Sequence, residues 1–169
     1  MANFAEYINR EDAQSNSATR EVPVESGVTV YNRDFVGYGA NGRLTSAGIA
    51  TLKLLGMVMG GDTRLIGRSQ RTNSTNPILA TGVASGKVRV IVNIENEAQY
   101  LLKASGALTE ALVGSTFNLQ GAPGSQLINA TPATSGAAGT GQFELVRLAA
   151  GIRGTDNTYG VFRIRRANV

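Results

Sequence analysis

The 169-residue chain contains no cysteine, no histidine and no tryptophan. The first absence excludes disulfides, a thiol nucleophile and thiolate metal ligands. The second removes the commonest general base, the commonest metal ligand and the usual near-neutral pH switch. Lysine is almost missing too, with only Lys53, Lys87 and Lys103, so arginine supplies nearly all the positive charge. Aromatic residues are 6% of the chain, too few for an extended stacking surface. No apolar run approaches the ~20 residues of a spanning helix. The most apolar stretch, Ile49 to Met59, is broken by Lys53 and Gly56. The N-terminus has no cationic start followed by an apolar run, so neither a targeting nor a membrane segment is expected. Together these absences tell against most enzyme classes and leave a soluble structural or binding protein.

What the chain does have is glycine and an uneven charge distribution. Its 21 glycines exceed the average share of about 7%. Residues 1–25 carry Glu6, Glu11, Asp12, Glu21 and Glu25 against Arg10 and Arg20, a net of −3, which leaves +7 on the remainder of a chain of formal net charge +4. An acidic segment and a basic body are complementary, although solvated charge explains both equally well. Residues 1–25 are polar and weakly periodic, with Phe4, Tyr7 and Ile8 clustered at the start. They read as an extended N-terminal arm with three apolar anchors, docking on its own body or, in the reading adopted, on a neighbouring chain.

From residue 26 to 169 a single β domain is expected. Gly27–Tyr31 and Asp34–Tyr38 alternate apolar and polar residues, and Asn41-Gly42 supplies a hairpin turn before Leu44. Leu52–Met59 reads as a buried strand closed by Gly60-Gly61-Asp62. Residues 62–77 read as a polar loop. Lys87–Ile94 alternates and is β-branched, a strand, with Glu95–Glu97 as a turn and Ala98–Ala104 as its hairpin partner. Thr109–Gly114 reads as one helical turn with Thr109 at its start and Gly114 as its stop. Ser115–Leu119, Gln126–Ala130, Phe143–Ala149 and Tyr159–Arg166 complete about eight short strands, separated by the Gly/Ala/Ser/Thr/Pro loop 131–142. In the last strand Val161, Arg163 and Arg165 share one face, and Phe162 and Ile164 the other. The pattern predicts an all-β fold, a small barrel or a jelly-roll-like sandwich.

Motifs for chemistry are weak. Gly37-x-Gly39-x-x-Gly42 fits a dinucleotide fingerprint, but no helix pattern follows it, so a Gly-rich hairpin is the better reading. Asn73-Ser-Thr75 and Asn129-Ala-Thr131 are glycosylation sequons without a secretory route. Glu95 and Glu97 form the one plausible carboxylate pair for acid–base work, and lack a partner base or an apolar pocket. Asp62 and Asp156 lack calcium-loop spacing. No catalytic, cofactor-binding or metal-ligating residue is assigned. Two arginine groups stand out: Arg64, Arg68 and Arg71 in the polar loop, and Arg163, Arg165 and Arg166 at the C-terminal strand. They read as protein contacts through bidentate pairing, with nucleic acid as the alternative.

From Gly27 to Gln120 the order of elements resembles a known family. The segments are Leu55-Gly-Met-Val-Met-Gly-Gly, Thr81-Gly-Val-Ala-Ser-Gly-Lys-Val-Arg-Val and, most specifically, the Gly106–Leu119 run Gly-x-Leu-Thr-x-x-x-Val-Gly-x-x-Phe-x-Leu. They resemble the small decoration, or cement, proteins of tailed-bacteriophage heads. The resemblance implies a non-catalytic all-β virion protein, usually trimeric, made in the host cytoplasm. It would bind outside the shell and bridge neighbouring major capsid subunits. A shell-forming coat or tail component is the alternative of the same class, and a basic nucleic-acid-binding β domain the alternative of another.

Overall fold

The computed structural model describes residues 6–8, 19–61, 79–95, 97–133, 141–149 and 157–165. Every regular element in them is a strand apart from one 3-10 turn at Glu110–Leu112. The strands are β1 (Glu6–Ile8), β2 (Thr19–Pro23), β3 (Thr29–Tyr31), β4 (Phe35–Tyr38), β5 (Leu44–Thr45), β6 (Leu54–Gly61) and β7 (Leu79–Thr81). They continue with β8 (Arg89–Asn93), β9 (Gln99–Lys103), β10 (Thr116–Phe117), β11 (Leu119–Gln120), β12 (Leu127–Ile128), β13 (Phe143–Leu148) and β14 (Tyr159–Ile164). The fold is all-β, as expected, with more and shorter strands than the eight the pattern suggests. Among the described residues no helix is long and apolar enough to cross a membrane.

Two five-stranded antiparallel sheets dominate. One has the order β1-β9-β14-β13-β10 and the other β2-β8-β6-β4-β5; two-stranded ribbons β11-β12 and β3-β7 flank them. The second sheet curls until its edges almost meet. Val24, just past β2, bridges in parallel to Leu44 in β5, and the Glu25 N–H donates to the Leu44 carbonyl at 2.9 Å. One bridge does not complete the circuit. Among the described residues no sheet closes into a barrel, so of the two architectures expected the sandwich is the one found.

Each sheet encloses apolar side chains for a reason legible in the residues. β4 and β6 alternate, but both faces are apolar. Phe35, Leu54 and Met57 face the first sheet, while Val36 and Val58 face into the curl of the second. The main core therefore joins Phe35, Leu54 and Met57 to Tyr100, Leu102, Phe117, Phe143, Leu145, Phe162 and Ile164 of the first sheet. A smaller core of Val22, Val24, Val30, Val36, Leu44, Val58, Ala80, Val90 and Val92 fills the curl. Aromatic side chains are few but concentrated. The four phenylalanines among the described residues meet in one edge-to-face chain. It runs Tyr100–Phe35 at 5.0 Å, Phe35–Phe143 at 4.9 Å, Phe143–Phe162 at 6.4 Å and Phe162–Phe117 at 5.8 Å. Such pairs add about 0.5–1.5 kcal/mol each beyond the area they bury.

The sheets are tied together by side chains that act as backbone. The Gln126 amide accepts from the Phe35 N–H at 2.7 Å and donates to the Phe35 carbonyl at 3.0 Å, filling the place of an adjacent strand. Buried Gln142 accepts from Leu119 N–H at 2.8 Å and donates to the carbonyls of Ile49 and Leu52 at 2.6 and 2.7 Å. Buried Asp34 accepts from Tyr31 N–H at 3.1 Å and from Gly124 N–H at 3.0 Å. Gly124 has φ +81° and lies against the Tyr31 ring, so a side chain there would be strained and crowded.

Four expectations are corrected. Lys87–Ala104 is not a hairpin. β8 pairs with β2 and β6 in one sheet, and β9 with β1 and β14 in the other, so the chain crosses between sheets at residues 94–98. The reason is that β9 is apolar on both faces, with Tyr100 and Leu102 in the main core and Leu101 in an outer cluster with Ala149 and Val161. The predicted strand Ser115–Leu119 breaks at Asn118, with β10 in the first sheet and β11 in a ribbon. The Asn118 Oδ1 accepts from Gly141 N–H at 2.7 Å instead of continuing the strand. The polar segment 1–25 contributes β2 to the second sheet and Val22 and Val24 to its core, so the β domain extends back at least to Thr19. The turn at Glu110–Leu112 is 3-10, and Thr109 flanks it without a side-chain capping bond.

Phe35 is the hinge of the aromatic chain and of the Gln126 contact. Truncation to Ala is expected to cost about 3–5 kcal/mol of stability, measured by urea unfolding. Gln126→Ala, which leaves the Phe35 peptide buried without partners, is expected to cost about 1–3 kcal/mol.

Candidate functional site

The C-terminal basic strand is the sequence-predicted site that the structure describes best. Along β14 the alternation holds: Phe162 and Ile164 enter the main core, and Val161 and Arg163 take the outer face of the first sheet. That face is not uniformly cationic. Val161 is buried with Leu101 and Ala149, and Val146 and Tyr159 pack beside them. Lys103 Nζ stands 5.9 Å from the Tyr159 ring centroid, at the edge of cation–π range. The face thus changes from apolar around Val161 to charged around Arg163.

Arg163 is not a free cation. It is register-paired with Glu144 on β13 and with Gln99 on β9. Its Nη2 reaches both Glu144 carboxylate oxygens, at 3.2 and 3.1 Å, while Nε reaches Oε2 at 3.3 Å. Nη1 donates to Glu97 Oε2 at 3.1 Å. The hydrogen bond and charge of Glu144, and more weakly those of Glu97, raise the Arg163 pKa above its ordinary value against the opposing effect of burial. Glu97 sits at φ +65°, uncommon for a residue with a side chain, at the end of the crossover between the sheets. The network therefore joins β13, β14 and the crossover, with two carboxylates around one guanidinium. Arg163 is thus already engaged within the chain while remaining part-exposed, and Glu97 has a structural role in that network. The Glu95 N–H instead closes a turn on Asn93 Oδ1 at 2.9 Å.

The other candidates divide. Arg165 follows β14, half-buried, its N–H donating to the Gln142 carbonyl at 2.9 Å; a Cβ added to Gly141 would lie 2.9 Å from its Nη1. Arg166, Arg64, Arg68 and Arg71 lie outside the described residues. Of the arm anchors, Phe4 also lies outside. Tyr7 and Ile8 belong to β1, in register with Tyr100 and Gln99 of the same chain. In this pairing β1 covers the edge of β9, which otherwise presents an open row of backbone donors and acceptors. Gly37–Gly42 is a hairpin, with Gly37 and Tyr38 opposite Thr45 and Leu44. Asp62 and Asp156 lie outside the described residues, among which no group of three carboxylates is placed to hold a metal ion.

Sequence reading missed Glu144 as the partner of Arg163. Both strands were legible, and an acidic and a basic residue on facing strands was the available signal, but the register that puts them opposite was not.

A double-mutant cycle on Arg163→Gln and Glu144→Gln is expected to give a coupling of about 0.2–1 kcal/mol that shrinks as salt rises, since the pair is part-exposed. Zero coupling in low salt would make the contact a passive one. For the arm, Ile8→Cys with Gln99→Cys is expected to oxidise to a disulfide within one chain. On a non-reducing gel it should run as a monomer; covalent multimers would mean that β1 is passed to a neighbour.

Comparison with protein-family models, curated proteins and solved structures finds no match to this chain.

Proposed function

We propose that the chain is a structural virion protein that decorates the outside of a tailed-phage head and bridges neighbouring major capsid subunits. The observation that carries the reading is the Gly106–Leu119 run, whose residues bear the resemblance to cement proteins. In the fold this run is the seam of the molecule. Leu108, Phe117 and Leu119 are buried in the main core, the 3-10 turn lies between them, and Gly114 at φ +83° hands the chain to β10. Three of its motif positions thus serve the core, as a segment shared for its fold would, while Val113 is left exposed. Two further features fit. The body is an all-β sandwich with the main core shared between its sheets, suited to bearing load. Arg163 is neutralised by two carboxylates, which removes one of the cations a nucleic-acid reading rests on.

In this reading no residue is chemically transformed. The protein binds the assembled lattice in preference to free subunits and stabilises it by RT ln(1 + [L]/Kd) per site. A homo-oligomer, a trimer in the resemblance, adds avidity across adjacent sites. The remaining exposed apolar residues among those described (Tyr38, Met59, Val83, Ile91 and Val113) and Arg165 are the contact candidates on the body.

Particles stripped of this chain are expected to release their genome at lower temperature than decorated ones, and purified protein added back should restore resistance saturably. Equal release temperatures would reject the clamping role. Density for the chain inside the shell or in the tail would favour the coat or tail alternative.

A further inference from the structure

We propose that Asn41, at the tip of the β4–β5 hairpin, is a site of spontaneous covalent modification, converting through a cyclic imide to aspartate and isoaspartate. In this chemistry the Gly42 backbone nitrogen, having lost its proton, attacks Asn41 Cγ. A C–N bond forms, the Cγ–Nδ2 bond breaks and ammonia leaves. Water then opens either imide carbonyl, giving aspartate or, with the main chain rerouted through the side chain, isoaspartate.

Three observations place the reaction here. Asn41 is followed by glycine, the one such pair in the sequence, so no Cβ obstructs the attacking nitrogen. The Asn41 Oδ1 accepts from the Arg43 N–H at 3.1 Å. That bond folds the side chain over the Gly42 peptide, polarises Cγ and stands ready to stabilise the oxyanion formed on attack. Both Asn41 and Gly42 are exposed, so water and hydroxide reach them. The opposing feature is that the Gly42 N–H donates to the Gly39 carbonyl at 3.1 Å. This bond must open first, and at an exposed hairpin tip opening is easy.

The chain holds its own controls. Asn93 and Asn129 have the same fold-back, with Oδ1 accepting from Glu95 N–H at 2.9 Å and from Thr131 N–H at 3.0 Å. Asn93 is followed by Ile94 and is buried; Asn129 is followed by Ala130, whose N–H donates to Ser105 Oγ at 3.0 Å. They share the polarising contact and lack the bare nitrogen. The product also has a consequence, since each conversion lowers the formal net charge of +4 by one and isoaspartate lengthens the main chain inside the turn.

The test uses the unmodified full chain, aged in mildly alkaline buffer and digested for peptide mass spectrometry, with isoaspartate detected by enzymatic methyl transfer. Asn41 is expected to gain one mass unit at least about tenfold faster than Asn129, because glycine removes the steric barrier. The rate should rise with pH, and an acidic band matching Asn41→Asp should grow on isoelectric focusing. Gly42→Ala should suppress the reaction; since it also strains a position at φ +72°, the comparison with Asn129 decides independently of that variant. Conversion at Asn41 no faster than at Asn129, or independent of pH, would overturn the proposal.

Discussion

Strands β4 and β6 cannot face water on either side, and the rest of the molecule follows from that. Phe35, Leu54 and Met57 need cover on one face, Val36 and Val58 on the other. A flat two-layer sandwich would cover one set only. The second sheet therefore curls until Val24 meets Leu44, enclosing the valines, while the first sheet is laid over the outer face of β4–β6. The main core is aromatic and the smaller one mainly valine, which matches their shapes: the wide gap between sheets takes edge-to-face rings, and the tight curl takes β-branched side chains.

A curl and a covering sheet leave backbone groups without strand partners, and buried polar groups must be satisfied. The chain solves this with carboxamides and one carboxylate. Gln126 serves the Phe35 peptide, Gln142 holds the loop at Ile49–Leu52, Asn118 holds Gly141, and Asp34 gathers Tyr31 and Gly124. These polar residues belong to the fold as much as the phenylalanines do: Asp34 and Gln142 are buried, and half-buried Gln126 and Asn118 are engaged with the backbone. What remains on the surface of the described body is a modest set of apolar side chains and partly neutralised arginines, which is why function is proposed as binding and load-bearing.

The sequence made some of this legible and concealed the rest for identifiable reasons. Period-two alternation found β3, β4 and β8, an apolar run found β6, and Asn41-Gly42 found its hairpin, because these signals are local. The two faces of β14 were readable for the same reason. The crossover between β8 and β9 was not. A turn-like Glu-Asn-Glu between two strand patterns looks the same whether the second strand folds back or leaves for another sheet. β1 and β2 were hidden because edge strands are short and polar, which is also how an unstructured arm reads. The Gln126–Phe35 contact joins residues 91 apart, and nothing in either neighbourhood announces it. Arg163 was identified as important, but its partners required the register. Four of the six arginines of the basic patch, Arg64, Arg68, Arg71 and Arg166, lie outside the described residues.

The division of strands between sheets also sets an order in time. All five strands of the curled sheet lie between Thr19 and Asn93, whereas the covering sheet, apart from β1, draws on Gln99 to Ile164. During synthesis the curled sheet is complete while the outer face of β4–β6 is still bare. The covering sheet is incomplete until β14 emerges to take the central place beside β9. The nascent protein thus passes through an interval in which Phe35, Leu54 and Met57 are presented to solvent on a finished sheet. The same long-range pairing makes refolding slow relative to a chain of local hairpins. The first strand can dock only after β9 exists, so residues 6–8 wait for some ninety further residues to be made before they find their place.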